Sequence, residues 1–249
     1  MHVPDGFLDA PTSIATAAVA VGGVALALRG ARRELDDRTA PMAGLVATFV
    51  FAGQMMNFPV AAGTSGHLLG GALAAVLAGP WTAVLCVTTV LIVQALFMAD
   101  GGITALGTNV DLMAIVGVGV GWLVFVAVRR VLPTRLGSVA PAAAVGAFLS
   151  VLAAATLFSA LFALGGTAPV SPDRVLVAML SWHTVIGLGE AAITALVVGS
   201  VVAVRPDLVH GARPALKART LEVRRPVTAA PTAPASSAPA PTAPAGDAA

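Results

Sequence analysis

An all-α, polytopic membrane protein of about seven spanning helices is the fold class this sequence predicts, on three observations. Hydrophobic residues fill 57% of the 249 positions and charged residues only 10%, against about 25% charged in soluble domains. The apolar residues form long runs broken by short polar stretches, as spanning helices require and alternating barrel strands do not. Finally, all but one of the 14 Lys and Arg residues fall on one side of a seven-span topology, the asymmetry of inserted membrane proteins.

The spans follow in order. The first runs from about Thr12 to Leu28, with Pro11, Thr12 and Ser13 suiting a helix start. A charged loop from Arg29 to Arg38 leads to a second span near Ala40–Phe58, which leaves the membrane with Gln54, Asn57 and Pro59 at its end. A Gly-rich turn, Ala61 to Gly71, opens a third apolar segment ending at Gly79-Pro80. From His67 to Gly79 there are 13 residues, too few to cross a ~30 Å core at 1.5 Å per residue. Small residues recur every fourth position there (Gly70, Ala74, Ala78 and Gly71, Ala75, Gly79), which predicts a central helix in close contact with its neighbours. Spans four to seven cover about Trp81–Met98, Val110–Val128, Val139–Leu164 and Val175–Val204.

These boundaries give a membrane domain over residues 1–209, with a tail over 210–249. The tail is rich in Ala and Pro, cannot bury a core and is expected to be disordered. Arg29, Arg32, Arg33 and Arg38, then Arg129, Arg130 and Arg135, then the basic residues of the tail share one side; Arg174 alone lies opposite. The positive-inside rule puts the C-terminus in the cytoplasm and the N-terminus outside. A sequence pI of about 9.5 therefore reflects topology and not a nucleic-acid partner. Cys86 is the one cysteine, so there is no intrachain disulfide and no Cys-based metal site. With no Lys or Arg before the first apolar run and Pro4-Asp5-Gly6 interrupting it, the N-terminus does not read as a signal peptide. No P-loop, no His-Glu-x-x-His and no nucleophile–base set is present, so no catalytic residues are assigned, no cofactor is expected and any ATP hydrolysis belongs to separate subunits.

The chemistry concentrates at the first residues, Met1-His2-Val3-Pro4-Asp5-Gly6. Methionine is retained before a residue as large as His, so the terminal amine, the Met1–His2 amide and the His2 imidazole lie in sequence. They can close two fused chelate rings on one ion, and planar nitrogen donors suit Ni(II) or Cu(II). The charge topology sets His67 on the same face and makes it the natural fourth ligand. The plain structural alternative is an exposed His2 and an interfacial His67. Thr64 and Ser65 either hold His67 by hydrogen bonds or are ordinary turn residues. Asp5 and Asp9 either attract cations electrostatically or, the better fit, make local turn bonds with Pro4-Asp5-Gly6. His183 and Glu190 share one face of the last span, about 10 Å apart. An intramembrane carboxylate is a functional candidate, and a buried contact with Gln54, Asn57, Gln94 or another helix accounts for it equally. This pair supports the rival reading, an ion-coupled carrier or intramembrane enzyme.

Met1-His2-Val3-Pro4-Asp5-Gly6-Phe7-Leu8, Gly63-Thr64-Ser65-Gly66-His67-Leu68-Leu69-Gly70-Gly71, Gln94-Ala95-Leu96, Asp100 to Gly107 and His183 to Glu190 together resemble the CbiM/NikM family. Its members are the substrate-binding S components of energy-coupling-factor ABC transporters for cobalt and nickel. The resemblance runs from Met1 to about Asp207. It implies a seven-helix S component in a bacterial or archaeal cell membrane, with its N-terminal loop plugged into the bundle. It also implies that Ni2+ or Co2+ is bound by the Met1 amine, the His2 amide and imidazole, and the His67 imidazole. The implied partners are a CbiQ/NikQ-type coupling protein, CbiO/NikO-type ATPases and a small CbiN/NikN-type membrane protein. Some cobalt-associated members carry Cys-Ser-His-Pro at the His turn, where this chain has Ser65-Gly66-His67-Leu68.

Overall fold

A computed structural model describes residues 1–36, 39–56, 58–59 and 65–223. Thr64, Asn57 and residues 224–249 of the expected tail lie outside the described residues, and the side chain of Ser65 is likewise not described.

Helix α1 spans Ala10–Ala31. Its start is set by Asp9, whose side chain accepts a 2.9 Å bond from the Thr12 N–H, a Ser/Asp-type cap one turn ahead of the expected Thr12. Helix α2 spans Ala40–Gln54 and stops short of the expected Phe58, because Phe58 and Pro59 turn into a two-residue strand paired antiparallel with Ser65–Gly66. Helix α3 is Gly71–Ala78, buried at every residue. Then come α4 (Pro80–Phe97), α5 (Leu106–Val131), α6 (Val139–Gly165) and α7 (Pro172–Val204). Helix α5 starts a turn before the expected Val110 and is π-helical over Val110–Gly117.

Among the described residues five helices are long and apolar enough to cross a membrane: α1, α4, α5, the α6 region and α7. Helix α2 is 15 residues and α3 is 8 residues. At 1.5 Å per residue these reach about 22 Å and 12 Å. The seven expected apolar segments are therefore all helical, but two are shorter than a bilayer core. Apolar side chains such as Val19, Val21 and Leu26 on α1 and Val185, Leu188 and Leu196 on α7 remain exposed, as a lipid solvent permits.

Helix α3 is the axis. It contacts α2, α4, α5, α6 and α7, and the small-residue repeat explains how. A Cβ on Gly71 would come within 3.0 Å of the α5 backbone at Gly117 and Val118, and one on Gly121 within 2.6 Å of Ala72. Gly146 of α6 closes on the Gly121 carbonyl in the same way. Three helices thus meet backbone to backbone, the geometry small residues allow.

Beyond α7 the described residues run on to Val223, and residues 210–223, expected as part of the tail, carry helical structure. Short 3₁₀ turns at Pro206–Leu208 and His210–Ala212 lead into α8, Arg213–Val223. Val209, Ala212 and Ala215 are buried, with Gly211 close against Phe125 and Val76. A few apolar residues ahead of the Ala/Pro repeats suffice to dock this stretch beneath α3.

Candidate metal centre at the N-terminal end

The first nine residues fold back into the bundle. Met1, His2, Val3, Phe7 and Leu8 are all buried, so the N-terminus is a plug. Each part is held by a different element. Val3 donates its N–H to Asn109 Oδ1 at 2.7 Å, and its carbonyl accepts from Asn109 Nδ2 at 3.1 Å and from the Gly102 N–H at 2.9 Å. Asn109 thereby pairs with Val3 as a neighbouring strand would. Asp5 bonds outside its own turn, accepting from the Thr104 N–H at 2.8 Å and the Thr104 hydroxyl at 2.5 Å. These bonds lower its pKa below the usual carboxylate value. Phe7 packs on Phe158 and Phe162, while Thr167 donates its hydroxyl to the Gly6 carbonyl and its N–H to that of Phe7.

The loop before α5 must pass very close. Gly101 has φ +91°, and a Cβ there would lie 2.9 Å from His2 Nδ1. Only glycine meets both demands without strain.

His67 arrives from the other direction and is fully buried. Its loop is clamped at Leu69 and Gly70. The Leu69 N–H donates to Glu190 Oε2 at 2.7 Å, the Gly70 N–H to Glu190 Oε1 at 2.9 Å, and Gln54 Nε2 to the Leu69 carbonyl at 2.8 Å. The carboxylate therefore sits at the N-terminus of α3, where free N–H groups and the helix dipole favour negative charge. Glu190 and His183 do not form a pair: His183 Nδ1 is bonded to the Met179 carbonyl at 2.8 Å. Of the contacts expected for Glu190, Gln54 is near but acts through Leu69, and the direct partners are main-chain amides.

The result brings Met1, His2 and His67 together. The His2 and His67 rings lie 4.5 Å apart between centroids. His67 Nδ1 is 2.7 Å from the Leu68 carbonyl, so that nitrogen carries the proton and Nε2 presents a lone pair. That Nε2 is buried with no partner. His2 Nε2 is also unbonded, 3.6 Å from Asp100 Oδ2. Burial pushes the Met1 amine from 8.0 down to about 4, with Asp100 opposing. It takes His2 from 6.5 to about 3, with the amine's charge adding to the effect. His67 is driven well below its ordinary value by burial, then by the amine and by His2. Burial favours the neutral form of all three bases, the form a metal ligand requires.

Among the described residues no group of three or more His, Cys, Asp or Glu side chains could hold an ion. A cation here would need the terminal amine and main-chain nitrogen beside the two imidazoles, the donor set anticipated from Met1, His2 and His67. Sequence reasoning missed Asn109 as the clamp on Val3. Its only signal was a place in a loop assigned to the same face.

Comparison with known proteins gives the arrangement its context. Residues 2–208 match the CbiM family, described as a cobalt uptake substrate-specific transmembrane region. A Haloquadratum walsbyi protein named for metal transport is 42% identical over 214 residues, 84% of this chain and 93% of that protein. An Archaeoglobus fulgidus protein named for fused nickel transport, NikMN, is 39% identical over 84% of this chain and 68% of its own length. A crystal structure of a truncated transition metal transporter superposes with a TM-score of 0.76 at 29% identity, covering 82% of this chain and 99% of that one.

Proposed function

This chain belongs to the CbiM family of cobalt and nickel transport membrane proteins, and from that premise we propose that it captures Ni(II) or Co(II) for an ATP-driven, energy-coupling-factor importer. The ligands are the Met1 amine, the Met1–His2 amide nitrogen, the His2 imidazole and His67 Nε2. The observation that carries this reading is a buried His67 Nε2 with no partner, its ring 4.5 Å from that of His2.

Consecutive donors on Met1 and His2 close two fused five- and six-membered rings, and binding expels the amide proton. Four nitrogens in one plane match the geometry Ni(II) favours. The plug formed by residues 1–9 covers the captured ion, and its contacts with Asn109, Thr104 and Thr167 are the ones that must part for release. The subunit itself is non-catalytic: a CbiQ/NikQ-type coupling protein and CbiO/NikO-type ATPases drive that release, with a CbiN/NikN-type protein assisting. The basic loops support an N-terminus outside the cell membrane, the side from which an importer collects its ion. The rival reading, a carrier or intramembrane enzyme using His183 and Glu190, needs a free carboxylate. Both Glu190 oxygens are engaged by main-chain N–H groups, so nothing favours it.

The test is to add one residue ahead of Met1 in the purified protein and titrate Ni(II). Moving the amine out of chelating position is expected to lower affinity by about 100-fold or more and to abolish the yellow absorption of low-spin planar nickel. Binding at full affinity by the extended protein would rule this mechanism out.

A further inference from the structure

The end of the bundle away from the plug holds a cavity of about 430 Å³. Helix α5 joins the two ends: Asn109 near its start bonds Val3, and Arg129 follows about 20 residues later, roughly 30 Å along the axis. The lining of the cavity combines aromatic Trp122 and Phe125 with Arg129, Arg130 and Arg213 and with His210. Three guanidiniums are always charged, and among the described residues no carboxylate forms an ion pair with any of them. Glu34 and His210 both approach Gly79, but that carboxylate is committed to the Trp81 and Thr82 N–H groups and the Thr82 hydroxyl. Arg129 is held in place by a 3.0 Å bond from Nη1 to the Arg135 carbonyl, which leaves the other edge of its guanidinium for a ligand. Positive charge gathered around a cavity and not balanced by the protein attracts an anion.

The surroundings indicate which anion. Leu123 and Val131 of α5 are exposed, so lipid-facing surface flanks the cavity, and Trp122 stands where aromatic belts mark the membrane interface. Basic pockets against spanning helices at headgroup level take acidic lipid headgroups. A free phosphate ion would leave Trp122 and Phe125 wet, whereas a phospholipid carries glycerol and acyl carbons that cover them. In the orientation proposed above this end meets the cytoplasmic leaflet, the anionic one.

We propose that this cavity seats the phosphate of an anionic phospholipid, with Arg129, Arg130 and Arg213 around the phosphate and Trp122 and Phe125 against the carbons next to it. Arg129 and Arg130 belong to α5 and Arg213 opens α8, so the bound lipid ties the segment after α7 to the bundle. That segment is otherwise docked through Val209, Ala212 and Ala215, with Gly211 against Phe125. The site is independent of the captured ion.

The full chain, purified in a neutral detergent, is titrated with phosphatidylglycerol, phosphatidylcholine and inorganic phosphate, and bound lipid is counted by native mass spectrometry. Wild type is expected to hold a single phosphatidylglycerol about tenfold more tightly than phosphatidylcholine. Trypsin cleavage after Lys217, an exposed residue of α8, should slow several-fold with phosphatidylglycerol alone. Arg130→Gln with Arg213→Gln should lose both the preference and the protection. Arg32→Gln with Arg33→Gln removes the same charge from exposed residues on the same side and should keep both. Equal affinity of wild type for the two lipids, or equal losses in the two double variants, would overturn the proposal in favour of general charge attraction. Inorganic phosphate that displaces the lipid at equal concentration and protects Lys217 as well would overturn the lipid assignment in favour of a free anion. The comparison of lipids on wild type needs no variant, so it decides the matter even where a variant fails to fold.

Discussion

The two ends of the bundle both bury a histidine-bearing cluster under a capped helix, yet the groups around the imidazoles differ. At the N-terminal end, Glu190 caps α3, and around it stand Met1, His2, His67 and His183, all buried. At the opposite end Glu34 caps α4, accepting from the Thr82 N–H at 2.7 Å, the Thr82 hydroxyl at 2.9 Å and the Trp81 N–H at 3.3 Å. The histidine there is His210, packed edge-on against Trp122. It shares a cavity of about 430 Å³ with Arg129, Arg130 and Arg213. Arginines are always charged, and burial, then the charge of Arg213, lowers the His210 pKa against the opposing charge of Glu34. An incoming cation meets the same repulsion. The difference teaches that the proposed capture site is the end whose imidazoles stand beside further neutral nitrogens and away from arginine charge.

The sharpest way to break this comparison is to remove one histidine from each end. His67→Ala and His2→Ala are each expected to weaken Ni(II) binding by about 100-fold, whereas His210→Ala leaves it within about twofold, as read by competition with a coloured chelator. Comparable losses from His210→Ala would show that the two ends are not distinct.

A second contrast uses the caps. Glu190→Ala strands two buried N–H groups and Glu34→Ala strands a similar set, each expected to cost about 2–3 kcal/mol of stability in thermal or denaturant unfolding. Only Glu190→Ala should also weaken Ni(II) binding, by about tenfold, because His67 is held through Leu69 and Gly70. A smaller effect is expected from Asn109→Ala. It removes two bonds to Val3 and should raise the nickel dissociation rate several-fold while leaving the arginine end untouched in hydrogen exchange.

The mildest prediction concerns pH. The Met1 amine is about 4 in the docked plug against 8.0 when free, and His2 about 3 against 6.5. The undocked state binds more protons between those values, so docking is strongest above pH 8 and weakens as pH falls towards 4. Aminopeptidase or exchange access to residues 1–9 should rise steadily over that window in the metal-free protein. Access that does not change with pH would mean the plug is not held by burying neutral bases.

Much of this architecture was legible from composition and spacing. Apolar runs marked α1 to α7 but not α8, and the every-fourth-residue repeat of small residues in α3 announced its central, close-packed place. The boundary errors have local causes. Helix α1 begins early because Asp9 caps it, α2 ends early because Phe58–Pro59 join a strand, and residues 210–223 fold because Val209, Ala212 and Ala215 find a surface to cover. None of those partners is adjacent in sequence, apart from the Asp9 cap.

By itself the sequence determined the lipid-compatible helices, the uneven spread of their charges and three consecutive nitrogen donors at Met1 and His2, because each depends on residues near one another in the chain. Tertiary structure alone decided that Met1 and His2 are buried, that Asn109 fixes Val3 across a separation of 106 residues, and that Glu190 holds the His67 loop across a separation of 121. Those bonds depend on which helices meet backbone to backbone. That is settled by the packing of Gly71, Gly121 and Gly146, not by any local preference of the residues they bring together.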